Sequence, residues 1–295
     1  MKLLVTGGTG LIGRRFIERY THHDYTVLTR DFRSAQKKLP QHVSLIDSLE
    51  NFTNLDGFDG VINLAGEPII DRRWTAQQKL RICESRWAIT QALVDLINKG
   101  DNPPNVFLSG SAVGIYGDQG DTKLDEAFGL GHSDFASELC FHWEQLAQMA
   151  NKRTRCATLR TGIVLDGSGG ALSKMILPFK LCLGGPLGNG KQYMPWIHNV
   201  DVTRALEYLL VNQTTRGAVN LVAPGAVRNK EFSIALARTL KRIAVLPVPA
   251  FILKTILGES SILLLGSQNV VPKKLLESGF QFQYPQLKQA LDEIL

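Results

Sequence analysis

Thr6-Gly7-Gly8-Thr9-Gly10-Leu11-Ile12-Gly13 follows the short apolar run Leu3–Thr6 and opens a helical stretch from Leu11 to Tyr20. In a strand–turn–helix of this kind each glycine has a mechanical task. Gly7 turns the chain sharply out of the strand, Gly10 lets backbone approach a pyrophosphate, and Gly13 packs helix against sheet. Free N–H groups of the first helical turn, at Leu11, Ile12 and Gly13, then face the phosphates at the positive helix end, with Thr9 beside them. The stretch predicts a dinucleotide-binding turn, provided that more strands and helices alternate behind it.

They do. Tyr25–Thr29, Val43–Ile46, Val61–Leu64, Val106–Ser109, Cys156–Leu159 and Ala218–Val222 read as further strands, short and nearly all apolar, as strands buried on both faces should be. Ala76–Ile97, Phe135–Ala150 and Phe232–Leu240 read as helices. The alternation predicts an α/β fold, a doubly wound parallel Rossmann sheet with right-handed crossovers. Glycine clusters mark residues 168–197 as substrate-side insertions, and Pro and Gly punctuate the chain from Pro247 onward. The expected division is a nucleotide-binding domain over 1–240 and a small, mostly helical C-terminal lobe over 245–295.

Composition narrows the function classes. Of 295 residues, 33 are Lys or Arg and 27 are Asp or Glu, a net charge of +6. The charge is dispersed, with no basic run interleaved with aromatics, so nucleic acid is not the expected partner. The four cysteines form no C-x-x-C pair, which predicts neither a zinc site nor a disulfide framework. No apolar run approaches a membrane span, and Lys2–Thr6 runs straight into the glycine turn without a signal peptide. A cytoplasmic protein with a small-molecule partner, no membrane contact and an open oligomeric state is expected.

Two further segments carry a family resemblance. Asn63-Leu64-Ala65-Gly66 ends the fourth strand, and Ser109-Gly110-Ser111-Ala112-Val113-Gly114-Ile115-Tyr116-Gly117 follows the fifth. With the Gly-x-x-Gly-x-x-Gly spacing they resemble the extended short-chain dehydrogenase/reductases. Arg160–Leu165, Leu183–Gly188, Pro195–Asp201 and Gly279–Phe282 with Tyr284-Pro285 narrow the match to the YfcH-like epimerase family proteins, over nearly the whole chain. The resemblance implies that Leu64 and Ala65 flank adenine and ribose and that Val164 lies against the nicotinamide. It also implies that Arg86, in the segment Ser85-Arg86 with Thr90, reaches the phosphates.

The second strand decides between cofactors. An NAD protein places an acid about 20 residues after the glycines, at the strand tip, to bind the ribose hydroxyls. Here Thr29 delivers Arg30, a guanidinium fork suited to a 2′-phosphate, and Asp31 is the dissenting residue. NADP(H) is the expected cofactor.

Ordinary members of the resembling superfamily use Ser, Tyr and Lys, the last two four residues apart on one helix face. The helix from Phe135 lacks the pair: one register puts Ala136 and Cys140 there, the other Phe135 and Leu139. Tyr284 and Lys288 have the spacing but sit in the C-terminal tail behind Pro285, where a helix starts. Ser111 and Tyr116 remain as catalytic candidates, and Glu67, Trp196 and His198 as substrate-side ones. Two functions stay open: an NADP-dependent oxidoreductase or epimerase-like enzyme on a small polar metabolite, and a non-catalytic NADP(H)-binding redox sensor or regulator.

Overall fold

Leu3, Leu4 and Val5 of the first strand, β1 (Lys2–Thr6), are fully buried, so this strand needs cover on both faces. A computed structural model describes every residue except 130–133, 151 and 244–245. In it β1 pairs in parallel with β2 (Asp24–Leu28) on one side and β4 (Gly60–Asn63) on the other. β3 (Ser44–Ile46) extends the first side. β5 (Val106–Ala112), β6 (Arg155–Thr161) and β7 (Gly217–Leu221) extend the second. The seven strands run β3-β2-β1-β4-β5-β6-β7, all parallel. Strand order reverses between β1 and β4, which opens a crevice at their carboxyl ends.

Period-two alternation sends Leu3 and Val5 to one face and Leu4 to the other. The first face packs Val27, Val106 and Leu159 against Phe16 and Ile17 of α1 (Leu11–Arg19) and Leu206 and Leu209 of α6 (Asn199–Val211). The second packs Val61 and Phe107 against Leu93, Val94 and Ile97 of α3 (Ala76–Lys99) and Ala147 of α4 (Phe135–Gln148). Three more helices lie between the strands or after them: α2 (Phe32–Lys38), α5 (Gly170–Lys180) and α7 (Asn229–Thr239). The sequence pattern leaves α2, α5 and α6 unassigned. α2 buries only Ala35, α5 contains Pro178, and α6 is buried so broadly that it shows no narrow apolar stripe.

The C-terminal region is helical, with α8 (Ala250–Leu257), α9 (Ile262–Leu265), α10 (Lys273–Glu277) and α11 (Leu287–Ile294). It is sewn into the sheet domain. Asn269–Val270 pairs in parallel with Lys123–Leu124. Leu275 and Phe280 join the α1–α6 core, while Leu287, Ala290 and Leu291 join one containing Leu165, Trp196 and Phe232. Both carboxylate oxygens of buried Asp201 accept N–H groups of the tail, Gln283 at 2.7 Å and Tyr284 at 2.8 Å. Two cores thus cross the expected 240/245 division, whose far side begins at Val245, outside the described residues.

Candidate functional site

The crevice holds a cleft of about 660 Å³ lined by Gly7, Thr9, Gly10, Thr29, Arg30, Leu64 and Ala65. Its shape follows from two glycines. At Gly7, φ is +69°, and a Cβ would stand 2.5 Å from the Leu64 carbonyl, so only glycine lets the tips of β1 and β4 meet. A Cβ on Gly10 would meet only Gly7 O, at 3.1 Å, and faces open cleft beyond it. Gly10 caps α1 without a side-chain acceptor, so the N–H groups of Leu11, Ile12 and Gly13 keep their donors for an anion. Gly13 packs on the turn itself, 2.5 Å from Gly7 O to its would-be Cβ. Below, Thr6 Oγ1 donates to Asn63 Oδ1 at 2.6 Å, and Asn63 Nδ2 donates to Thr90 Oγ1 at 2.8 Å, bracing the floor. These residues fit a dinucleotide.

β2 ends at Leu28, one residue earlier than the sequence pattern suggests, and Asp31 caps α2. Its carboxylate accepts the Ser34 N–H at 3.0 Å. Arg30 is exposed on the cleft wall, and among the described residues it has no hydrogen-bond or ion-pair partner. The acid is occupied and the guanidinium is available.

At the far end of the crevice lies a buried ionic network. Arg160 on β6 donates Nε to Glu144 Oε1 and Nη2 to Glu144 Oε2, each at 2.9 Å, and Nη1 to the Tyr116 hydroxyl at 2.9 Å. Ser111 Oγ donates to the same Glu144 Oε1 at 2.7 Å. The Tyr116 hydroxyl also lies 2.8 Å from Asn220 Oδ1. Burial pushes the Tyr116 phenol above its usual range, against the pull of Arg160. Burial would lower the Arg160 pKa, but the Glu144 carboxylate outweighs it and holds the guanidinium charged. Ser111 and Tyr116 therefore complete an internal network, and neither is among the residues that line the dinucleotide cleft.

Beside the network a pocket of about 240 Å³ opens against the C-terminal region. Ala136 and Cys140 line it from α4, with Ile69, Ile70 and Val113 beside them and Ile262 and Leu263 opposite. Burial raises the Cys140 thiol to about 12, so it carries no thiolate near neutrality.

The structure gives each substrate-side candidate packing partners. Trp196 is buried, and its Nε1 donates to Gly225 O at 2.9 Å. His198 caps α6: its Nδ1 accepts the Val200 N–H at 3.1 Å, which leaves the proton on Nε2, 2.8 Å from a Glu293 oxygen. Burial lowers its pKa despite that acid, and the Tyr284 ring packs against it at a tilt of 33°, centroids 4.0 Å apart. The Tyr284/Lys288 pair is thus packing and a helix start. Glu67 is held through its backbone, its N–H donating to Ser85 Oγ at 2.9 Å and its O accepting from Arg86 Nη2 at 2.9 Å. Arg86 is spent on that carbonyl and on Ile82 O, 5.3 Å above the Trp143 ring, and burial lowers its pKa. Val164 packs with Ile12 and Leu64 against the α1 core and lines neither cavity, and neither does Arg86.

A model of the NAD dependent epimerase/dehydratase family matches residues 3–221. The chain belongs to that family. A domain of unknown function, DUF1731, matches residues 248–294. The chain is 39% identical over 303 residues to the chloroplastic epimerase family protein SDR39U1 homolog of Arabidopsis thaliana, covering 100% of this chain and 87% of the relative. To epimerase family protein SDR39U1 of Mus musculus it is 36% identical, covering 100% of both. The crystal structure of human SDR39U1 with NADPH superposes with a TM-score of 0.92 at 34% identity, covering 100% of this chain and 99% of that one. A UDP-glucuronic acid 4-epimerase from Bacillus cereus, 15% identical with a TM-score of 0.78, shares the fold.

Within this epimerase-family chain, sequence reasoning missed part of the cleft wall. Asp47, Ser48 and Leu49 follow β3, and Ser85, Ala88, Ile89 and Ala92 form the facing side of α3. The first group was open to inference, because every loop at a carboxyl strand end borders the crevice. Of the second, the sequence marked only the segment around Ser85 and Arg86, since Ala88, Ile89 and Ala92 on a long helix look like ordinary packing. Among the described residues, no helix is long and apolar enough to cross a membrane.

Proposed function

We propose that this chain binds NADP(H) in the 660 Å³ cleft and works as an oxidoreductase on a ligand held in the 240 Å³ pocket, without a Tyr–Lys proton relay. Arg30 carries the cofactor reading: among the described residues this cation at the second strand's tip is unpartnered, while Asp31 is occupied as a helix cap. The NADPH in the human relative's structure supports it. The bound dinucleotide would supply a hydride donor or acceptor. The chain's own residues hold phosphates at Gly7–Gly13, seat Leu64 and Ala65 against the adenosine end, and exclude water at the apolar pocket. Four free cysteines, three of them buried, support a reducing, cytoplasmic setting.

A hydrogen bond to a charged group contributes about 1.5–3 kcal/mol. NADPH should therefore bind about ten- to a hundredfold tighter than NADH. Arg30→Ala should remove most of that preference and leave NADH nearly unchanged, read by fluorescence titration at fixed salt. Equal affinities in the unmodified protein would return the position to Asp31. A second reading, an NADP(H)-binding protein without turnover, is favoured by the locked Ser111 and Tyr116. Deuterium transfer from 4-deuterated NADPH into any member of a carbonyl panel separates the two.

A further inference from the structure

We propose that the 240 Å³ pocket takes a compact, uncharged, largely apolar ligand and rejects diphosphate-bearing sugar nucleotides. This ligand class deepens the NADP(H) reading, with the dinucleotide cleft as the pocket's neighbour.

Charge is the first ground. Among the described residues no Lys, Arg or His lines the pocket, whereas Asp118 and Asp134 do. A diphosphate would enter against two carboxylates with no cation to meet it. Four cations on surrounding elements are committed elsewhere, and Lys254 borders the neighbouring cavity beside Asp118 and Ile262, not this one. Arg160 is held by Glu144, Arg228 pairs with Asp121 at 3.1 Å, Lys174 pairs with Asp71, and Arg73 donates to carbonyls at the end of α8. The two acids do not invite an amine either, because both serve the backbone. Asp134 Oδ1 accepts the Ser137 N–H at 2.9 Å, and Asp118 Oδ1 accepts those of Ser267 at 3.1 Å and Gly120 at 3.2 Å.

Walls and size are the second ground. Ile69, Ile70, Val113, Met194, Ile262 and Leu263 give a surface that water wets poorly. The pocket's volume falls below the roughly 300–1,000 Å³ of pockets that bury drug-sized ligands, which suits a ring with a short substituent better than a sugar nucleotide. In one of the two registers Ala136 and Cys140 stand where the resembling enzymes place their proton-transfer pair, and neither side chain offers a sugar hydroxyl a strong partner. Thr161, Tyr193 and Gln268 also line the pocket, but Thr161 Oγ1 and Gln268 Nε2 already donate to Leu159 O and Gly117 O, each at 3.1 Å, so a hydroxyl-rich metabolite would find few free partners on these walls.

Calorimetry on the full chain with saturating NADP⁺ tests this, using 4-phenyl-3-buten-2-one as the apolar probe and UDP-glucose as the charged one. The apolar probe should bind saturably and UDP-glucose should not. Ala136→Phe fills the pocket from α4, and Leu263→Trp fills it from the opposite side, should the first variant fold poorly. Either should weaken the apolar probe about tenfold or more while NADPH affinity stays within about twofold. UDP-glucose binding that Ala136→Phe weakens would overturn the proposal, as would apolar-probe binding untouched by both variants. Titrating the probe without cofactor judges the pocket separately, so absent NADPH binding would count against the cofactor reading alone.

Discussion

Replacing Arg160 with Leu removes the cation from the most buried ion pair in the molecule's interior network. The guanidinium makes two 2.9 Å hydrogen bonds to Glu144 and one to Tyr116, with side chains only 4% and 11% exposed across the pair. After the change Glu144 keeps a single donor, the Ser111 hydroxyl. Breaking a buried pair from one side costs about 3–5 kcal/mol, because the remaining charge is uncompensated. At about 2 °C per kcal/mol for a chain of this length, Tm should fall by roughly 6–10 °C. The double change Arg160→Leu with Glu144→Leu should recover much of that loss, since apolar residues of similar volume replace such pairs at little cost. Urea and thermal unfolding of the four-member cycle measure these differences, with NADPH titration as a control for the cleft. A single variant losing under about 1 kcal/mol, or a double variant no better than the single one, would refute the reasoning.

Gly10→Val, whose Cβ would crowd Gly7 O at 3.1 Å and otherwise face the open cleft, should stay folded yet lose dinucleotide binding because the side chain blocks backbone approach; fluorescence titration of the folded variant checks both. Gly7→Ala should instead lower Tm steeply, because the Cβ would meet Leu64 backbone at 2.5 Å in a left-handed conformation. Burial pushes the Asp166 carboxyl up, but hydrogen bonds from Arg15 and Ser168 win and hold it at about 2. A depressed carboxyl contributes stability in full above its unfolded pKa near 4, lost as pH falls toward 2. Unfolding experiments between pH 6 and pH 2.5, roughly spanning that window, should show the advantage of Asp166 over Asn shrinking by about 2 kcal/mol; a pH-independent difference would exclude this origin.

The dinucleotide half of the site was legible because its signals are local. Gly7, Gly10 and Gly13 stand at fixed offsets from a strand end, and the apolar runs behind them needed no long-range knowledge to be read as a parallel sheet. The second half was not, because its logic is three-dimensional. Arg160 looked like one residue of a family segment, and nothing in the sequence joins it to Glu144, 16 positions earlier. Tyr116 carried the chemistry of a proton donor but folds against Asn220, 104 positions away. His198 and Trp196 drew attention as polar and aromatic residues near a glycine-rich stretch, yet both serve the packing of α6 and its neighbours. The lining of the smaller pocket was hidden for the same reason. Its character comes from Ile262 and Leu263, which reach it from the C-terminal region.

That C-terminal return has a consequence for synthesis. The cluster around Leu165 and Trp196 is completed by Leu287, Ala290 and Leu291, which leave the ribosome more than ninety residues after Trp196. Asp201 likewise waits for the N–H groups of Gln283 and Tyr284 before its buried charge is satisfied. A nascent chain that has made every strand of the sheet therefore still exposes an open apolar surface beside α6 and α7. Such long-separation contacts slow folding and leave intermediates prone to association. The sheet can assemble as it is made, but its last core closes only after translation has passed Leu291, which makes the growing polypeptide a natural client for chaperones during that interval.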